Sequence, residues 1–545
     1  MEQGVRQRSF RTRSQYLSFS FLVKKQDFMR RRTFLQTTAA AGTAALLLPG
    51  PTRGRTSTTE EQGVDSTWLE DAVNSAIDQG AEYAEILFRE DATETLQLRK
   101  DRMYQASDGF HSGMTMRVFR NGAWGSASVS EWNPGNPSAL AASALRSSRI
   151  IGGIRRQELD LSNRVSDGKH EWSTPINRDP FAVSFEEKHD FLLSLTEKAT
   201  KIQQIPFAVA NLFLVRRRSE FINSLGAGVH QTFHYTYPNF AVTAFHQKKR
   251  RMDSRSSERE AQAAGWEVTG ESFDSALETA MQEVLQLQTA EAVTEQRYDL
   301  VVHPTLLWDL LFTTLLPHLD PSRLLGLDGA RPGDRWLKPE DLGHKRIGSP
   351  LLNLRTNSSL ARGLASCGWD DSGRAATDVQ LLRDGIPQMI PASDTLPIPG
   401  TISTIPFSRS AQWNAPADAA MPNIVMDSGE QSLAGLVSSV DTGLLVKGRG
   451  TVVLNPAKTL FRVRPQMAWM IRGGKIAEVV RGVEIETSVE QFWNALDVLG
   501  GSNEAVTSGD LFPSRALPIW SVPFSISAPP ALFRDIPIYS AKESS

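Results

Sequence analysis

The chain has 545 residues, 40% hydrophobic and 22% charged, an ordinary soluble globular composition with more length than one domain needs. Lys and Arg number 59 against 61 Asp and Glu, a formal net charge of -2, so no whole-chain field draws nucleic acid or an anionic membrane surface, and no nucleic-acid partner is expected. The single cysteine, Cys367, excludes an intrachain disulfide and a multi-cysteine metal knuckle, and reads as a small buried hydrophobe.

At the amino terminus Arg30, Arg31 and Arg32 precede Thr33, Phe34 and Leu35, followed by an alanine-rich apolar run to Leu48 and a break at Pro49, Gly50 and Pro51. Charge before a short apolar run, with an Arg-Arg-x-Phe-Leu core, is the pattern of a twin-arginine export signal. The run is too short to span a bilayer as a stable helix. This predicts a periplasmic or otherwise extracytoplasmic protein, anchored by the signal where it is not cleaved. Met29 stands directly before the arginines, so residues 1–28 read as a non-native leader. Residues 1–65 together read as leader, signal and polar linker.

Apolar residues at helical spacing, Trp68, Leu69, Ala72, Val73, Ala76 and Ile77, predict an amphipathic helix closed by Gly80. Period-two alternation then predicts strands over 83–90, 95–99 and 113–119. Asn121-Gly122 fits a two-residue hairpin turn into a strand over 123–127. Helices are expected over 137–149, 183–203 and 270–291, with strands over 207–216, 229–236 and 239–247. Lys248, Lys249, Arg250 and Arg251 read as a solvated loop or strand end. Asp299-Leu300-Val301-Val302 reads as a short buried strand, 305–316 as a mostly apolar helix, and the chain beyond 340 as short strands and Pro/Gly turns. The expected class is α+β: helix and antiparallel-sheet domains over 66–295, then a mainly β carboxy-terminal domain over 296–545.

Several of these segments resemble a known family. The Ala84-Glu85-Ile86 strand and the Arg117-Val118-Phe119-Arg120-Asn121-Gly122-Ala123-Trp124-Gly125 core are similar to the amino-terminal signature of the TldD/PmbA (TldD/TldE) metallopeptidases. Tyr298 to Trp308, with His303-Pro304 at its turn, resembles the strand and turn leading to the family's metal-binding helix. Arg323-Leu324-Leu325-Gly326, Gly368-Trp369-Asp370-Asp371-Ser372-Gly373, Leu382-Arg383-Asp384-Gly385, Asp427-Ser428-Gly429-Glu430-Gln431 and Asp441-Thr442-Gly443-Leu444 follow in family order. The likeness spans roughly residues 67–537.

The resemblance implies zinc peptidases that trim peptides, often as a pair in which TldD carries the metal and TldE does not. A zinc hydrolase needs about three protein ligands, an open position for water, and a carboxylate base. The family's His-Glu-x-x-x-His motif, carried over residue by residue, falls on Phe312, Thr313 and Pro317, none of which can serve. The family's late cysteine ligand would lie just before Val522-Pro523-Phe524-Ser525, where residues 515–521 contain none. A shifted site would recruit His318 with Asp320; Asp370 and Asp371 read as turn-formers beside a Gly-rich segment. The expectation is therefore a non-catalytic TldE-like subunit holding no cofactor itself, paired with a zinc-bearing TldD-like chain or as a homodimer, and acting on peptides. Two alternatives stand: an active peptidase with rearranged ligands, and a stand-alone peptide-binding protein.

Overall fold

The computed structural model describes residues 66–131, 135–154, 157–161, 164–258, 260–327, 335–394, 396, 398, 400, 402–511 and 522–541. The export signal and linker read from residues 1–65, and the 515–521 stretch, lie outside them.

The amino-terminal half is built on a seven-stranded sheet with helices on one face. Helix α1 (Ser66–Asp78) buries Leu69, Ala72, Val73 and Ala76, a single stripe at helical spacing. It leads through Gly80, at φ 93°, into β1 (Tyr83–Arg99), β2 (Arg102–Arg120) and β3 (Ala123–Ser130). The β2–β3 turn is Asn121 and Gly122, at φ 49° and 77°, the positive pair that a type I′ hairpin needs. Helix α2 (Pro137–Gly152), capped by the Asn136 side chain, lies directly on β3. A Cβ at Gly125 would sit 2.2 Å from the Ser148 amide nitrogen, so this close approach requires glycine there.

Strand β4 (Gly168–Ser173), helix α3 (Phe185–Thr200), strands β5 (Phe207–Asn223), β6 (Ala227–His246) and β7 (Arg251–Ser256), and helix α4 (Glu271–Thr289) complete this half. The strand order is β3-β2-β1-β5-β6-β4, with β7 also on β6. Ser184 caps α3, and its Leu192, Leu195 and Ala199 pack with Phe273 and Leu277 of α4 onto Leu212, Leu214 and Val242.

Strands run longer here than their alternation predicts. The expected break over 91–94 is absent, because β1 pairs continuously with β2 on one side and β5 on the other. Asp91 stays in the strand because Arg89 (2.6 Å) and Arg217 (2.8 Å) neutralise it. Likewise 229–236 and 239–247 form one strand through Pro238. That proline falls between the stretch of β6 paired with β4 and the stretch paired with β7, where the outer ladder is interrupted and a missing N–H is tolerated. Lys248, Lys249 and Arg250 form the exposed β6–β7 turn.

The carboxy-terminal half is mainly short strands, in two principal sheets. In one, Gln296–Val302 lies between Thr442–Lys447, parallel to it, and Ala531–Ser540, antiparallel. The other orders Ile386–Pro387, Gln380–Arg383, Leu354–Thr356, Ile424–Met426, Phe524–Ala528 and Val506–Asp510. Phe233, Tyr235 and Tyr237 of β6 belong to the same apolar core as Leu300, Trp308 and Phe524. No helix among the described residues is long and apolar enough to cross a membrane.

Candidate functional site

Helix α5 (Pro304–Leu310) follows the central strand of the larger carboxy-terminal sheet, and all seven of its residues are buried. His303 caps it: its ring accepts from the Thr305 amide (3.3 Å) and lies 3.0 Å from the Thr305 hydroxyl. Burial, helped by Lys447 and Arg255, pushes the His303 imidazole down to about 3, so it is neutral at pH 7. Asp309 is also buried, and its carboxylate accepts from the Gly450 amide (2.8 Å).

The regular α-helix is shorter than the sequence predicts. It stops at Leu310, widens into a π-type turn over Leu311–Leu315, and tightens over Leu316–His318. Two causes lie in the sequence. Pro317 has no N–H and its ring clashes with a continuing helix, while the Thr313 and Thr314 hydroxyls donate back to the Asp309 and Leu310 carbonyls.

At the carried-over positions, Phe312 lies against Trp308 at 4.7 Å between ring centroids and against Phe524 at 5.8 Å. Thr313 spends its hydroxyl within the turn. Pro317 has no donor or acceptor on its side chain. The Trp493 indole donates to Thr314 (3.0 Å), tying the turn to the aromatic cluster of Phe492 and Phe533. Phe312 and Pro317 carry no ligand atom, so these positions do not fit a zinc ion.

His318 and Asp320 do not converge on a common point of chemistry. His318 is buried, its Nε2 donates to the Lys458 carbonyl (3.1 Å), and its ring meets Trp336 edge-on at 4.9 Å. Burial lowers it to about 4, so the imidazole is neutral. Asp320 accepts from the Ser322 amide (2.8 Å) and caps the short turn Pro321–Leu324.

Asp370 and Asp371 are wholly engaged in joining two segments. Asp370 accepts from the amides of Ser372 (2.9 Å), Arg374 (2.8 Å) and Ser408 (2.9 Å). Asp371 accepts from Arg409 (2.9 Å) and the Ser410 amide (2.7 Å). Gly373 completes the turn at φ 73°. Cys367, beside Arg409, is buried, which pushes its thiol up to about 11 and leaves it a poor nucleophile. Among the described residues no group of three or more His, Cys, Asp or Glu comes together in a metal-holding arrangement.

A different charged cluster, not anticipated from the sequence, joins the two halves. Glu85 of β1 accepts from Arg117 of β2 (2.7 Å), from Arg164 and from the Tyr83 hydroxyl (2.9 Å). Asp394 accepts from the same Arg117 (3.1 Å) and Arg164 (2.5 Å) and from Arg374. The three guanidinium groups hold the Asp394 carboxyl far below the usual range despite burial that opposes this. The sequence carried a signal for it. Glu85 stands between Ala84 and Ile86, and Arg117 between Met116 and Val118, each a charge inside an apolar strand.

A model described as PmbA/TldA metallopeptidase domain 1 matches residues 84–150, and one described as PmbA/TldA metallopeptidase C-terminal domain matches residues 295–539, together more than half of the chain. The chain belongs to the TldD/PmbA family. A metalloprotease of Synechocystis is 23% identical over 427 residues, covering 75% of this chain and 85% of that one. A metalloprotease of Methanothermobacter thermautotrophicus is 22% identical over 425 residues, covering 78% and 89%. The crystal structure of TldE from Thermococcus kodakarensis superposes with a TM-score of 0.65 at 15% identity, covering 87% of this chain and all of that one. This TldD/PmbA member is thus metallopeptidase-like in sequence and shares the TldE fold.

Proposed function

We propose that this TldD/PmbA chain is a non-catalytic, TldE-like subunit that is exported by the twin-arginine route and works with a zinc-bearing TldD-like partner on peptides. The carrying observation is the Phe312 ring, packed in one cluster with Trp308 and Phe524 at the position of the family's first helical histidine. A water-activating zinc needs ligand atoms and room for water; here an aromatic ring and a proline stand instead. The neighbouring histidine, His318, is committed to a backbone carbonyl and held neutral by burial, and Asp320 serves as a cap. The likeness to a TldE structure supports the same reading.

The test is co-expression with a TldD-like chain from the same genome, with size-exclusion mass and hydrolysis of an unstructured peptide as readouts. The expected result is a complex that cleaves the peptide while this chain alone does not. Cleavage by this chain alone, abolished by His318→Ala, would favour rearranged ligands. A monomer without partner or cleavage would favour a stand-alone binding protein.

A further inference from the structure

The long strands of the amino-terminal sheet end together at one tip. Arg99 pairs with Arg102 across the β1–β2 turn and with Val209 of β5 on its other side, Phe207 pairs with Thr243 of β6, and Phe245 pairs with Met252 of β7. The Lys100 amide donates to the Ala208 carbonyl (2.9 Å) and the Phe245 amide to the Gln204 carbonyl (2.9 Å), so backbone bonds tie the turns into one surface.

Register gathers the large apolar side chains of this tip on one face. Residues paired across strands, and residues two apart within a strand, point the same way. Phe207, Phe245 and Met252 therefore share the face opposite Ala208, Val242 and Ala244, which pack in the core beneath α3 and α4. Tyr104 joins them, with the Arg99 guanidinium over its ring at 3.4 Å. Tyr104, Phe207, Phe245 and Met252 are 62%, 50%, 38% and 47% exposed, a concentration of apolar surface that marks a contact site.

The same tip is strongly basic. In the turns 100–102 and 247–250, Lys100, Arg102, Lys248, Lys249 and Arg250 are all exposed, against Asp101 as the carboxylate, a local charge of five minus one in a chain whose formal net charge is -2. Arg251 is excluded from the count because Asp253 pairs with it at 2.9 Å.

Charge and apolar surface together select the partner. Clustered cations gain by meeting a surface dense in anions, and the apolar side chains among them gain only where a nonpolar layer lies within their reach. An anionic phospholipid bilayer offers both, phosphates for the lysines and arginines and the headgroup–acyl boundary for the aromatic rings. A second copy placed tip to tip would set like charges against each other. Nucleic acid would satisfy the cations, but outside the cytoplasm, where the proposed signal sends this chain, the polyanion at hand is the membrane.

We infer that this tip is a docking surface for an anionic phospholipid bilayer, in which Tyr104, Phe207, Phe245 and Met252 enter the headgroup layer and the surrounding cations sit at the phosphates. The inference goes beyond the subunit role and takes from it only the extracytoplasmic setting. The contact is peripheral, made by strand ends and turns.

The test is co-sedimentation of the full chain with vesicles of phosphatidylcholine alone and of phosphatidylcholine with roughly one-quarter phosphatidylglycerol. Residues 1–65 are common to every variant, so differences between variants isolate the tip. The unaltered chain is expected to bind the charged vesicles at least about ten-fold more tightly than the neutral ones. Lys100→Glu/Lys248→Glu/Lys249→Glu is expected to remove that preference, whereas Lys169→Glu/Arg383→Glu/Lys475→Glu, the same charge change at exposed positions elsewhere, keeps it. Phe207→Ser/Phe245→Ser should weaken binding by about five-fold or more, a deficit that persists at raised salt, where charge is screened. Each variant is checked for an intact fold by circular dichroism. Equal binding to both vesicle types, undiminished binding by either tip variant, an equal loss in the control, no binding at all, or tighter binding of a single-stranded oligonucleotide than of charged vesicles would overturn the inference. None of these results touches the subunit role, which is read separately from partner-dependent cleavage.

Discussion

Two places in this molecule bury groups that can carry charge, and they are built in opposite ways. At the α5 turn, the positions matching the family's zinc ligands carry aromatic and aliphatic packing, and two histidines nearby, His303 and His318, are held neutral by burial. At the junction of the halves, Glu85, Arg117, Arg164, Arg374 and Asp394 are buried as a network of ion pairs across the two halves. The difference teaches that burial does not decide whether a site keeps its charge; the supply of fixed partners does. One site has no such partners and is packed as core. The other holds five and joins two halves.

The largest expected effect breaks the charged site. Asp394→Ala leaves Arg117, Arg164 and Arg374 buried with Glu85 as the remaining carboxylate of the cluster, a loss of about 3–5 kcal/mol by analogy with broken buried pairs. A chemical denaturation midpoint far below that of the unaltered chain is predicted; an unchanged midpoint would mean that the cluster does not hold the halves together. Phe312→Ala acts on the other site. The ring is partly exposed but packed on Trp308 and Phe524, so a smaller loss of about 2 kcal/mol is expected, with no change in metal content. A gain of stability would show that the ring is strained in place.

The smallest effect sharpens the contrast through pH. His318 is lowered from 6.5 to about 4, so the native state favours the neutral ring. Its contribution is complete above the unfolded value and is lost as the pH falls from about 6.5 through about 4, because the unfolded chain there binds more protons. His318→Gln should flatten stability against pH in that window, by roughly 1 kcal/mol between about pH 7 and about pH 5.5. A slope unchanged by the substitution would mean that His318 titrates normally.

Much of the fold was legible because its signals are local. The stripe of α1, the Asn121-Gly122 turn and the strand before α5 each need only neighbours in sequence. Strand ends were not, since Asp91 and Pro238 look like breakers and are rescued by Arg217 and by a gap in the outer ladder, both remote in sequence. At the candidate site, it is plain in the sequence that Phe312 and Pro317 carry no metal-ligating atom. What fills the space is not, because Phe524 and Trp493 arrive from about 180 to 210 residues further along the chain. The pairing in the Glu85 and Asp394 cluster is hidden for the same reason: Glu85 and Arg117 stand out as charges in apolar strands, but Asp394 meets Arg117 across 277 residues of sequence.

The most direct test of the central claim is the zinc content of the purified chain alone, after equilibration with excess zinc and dialysis, measured by inductively coupled plasma mass spectrometry. The account predicts far less than one zinc per chain, with stoichiometric metal found only in the complex with a TldD-like partner. One zinc per chain in the isolated protein, lost on His318→Ala, would contradict it.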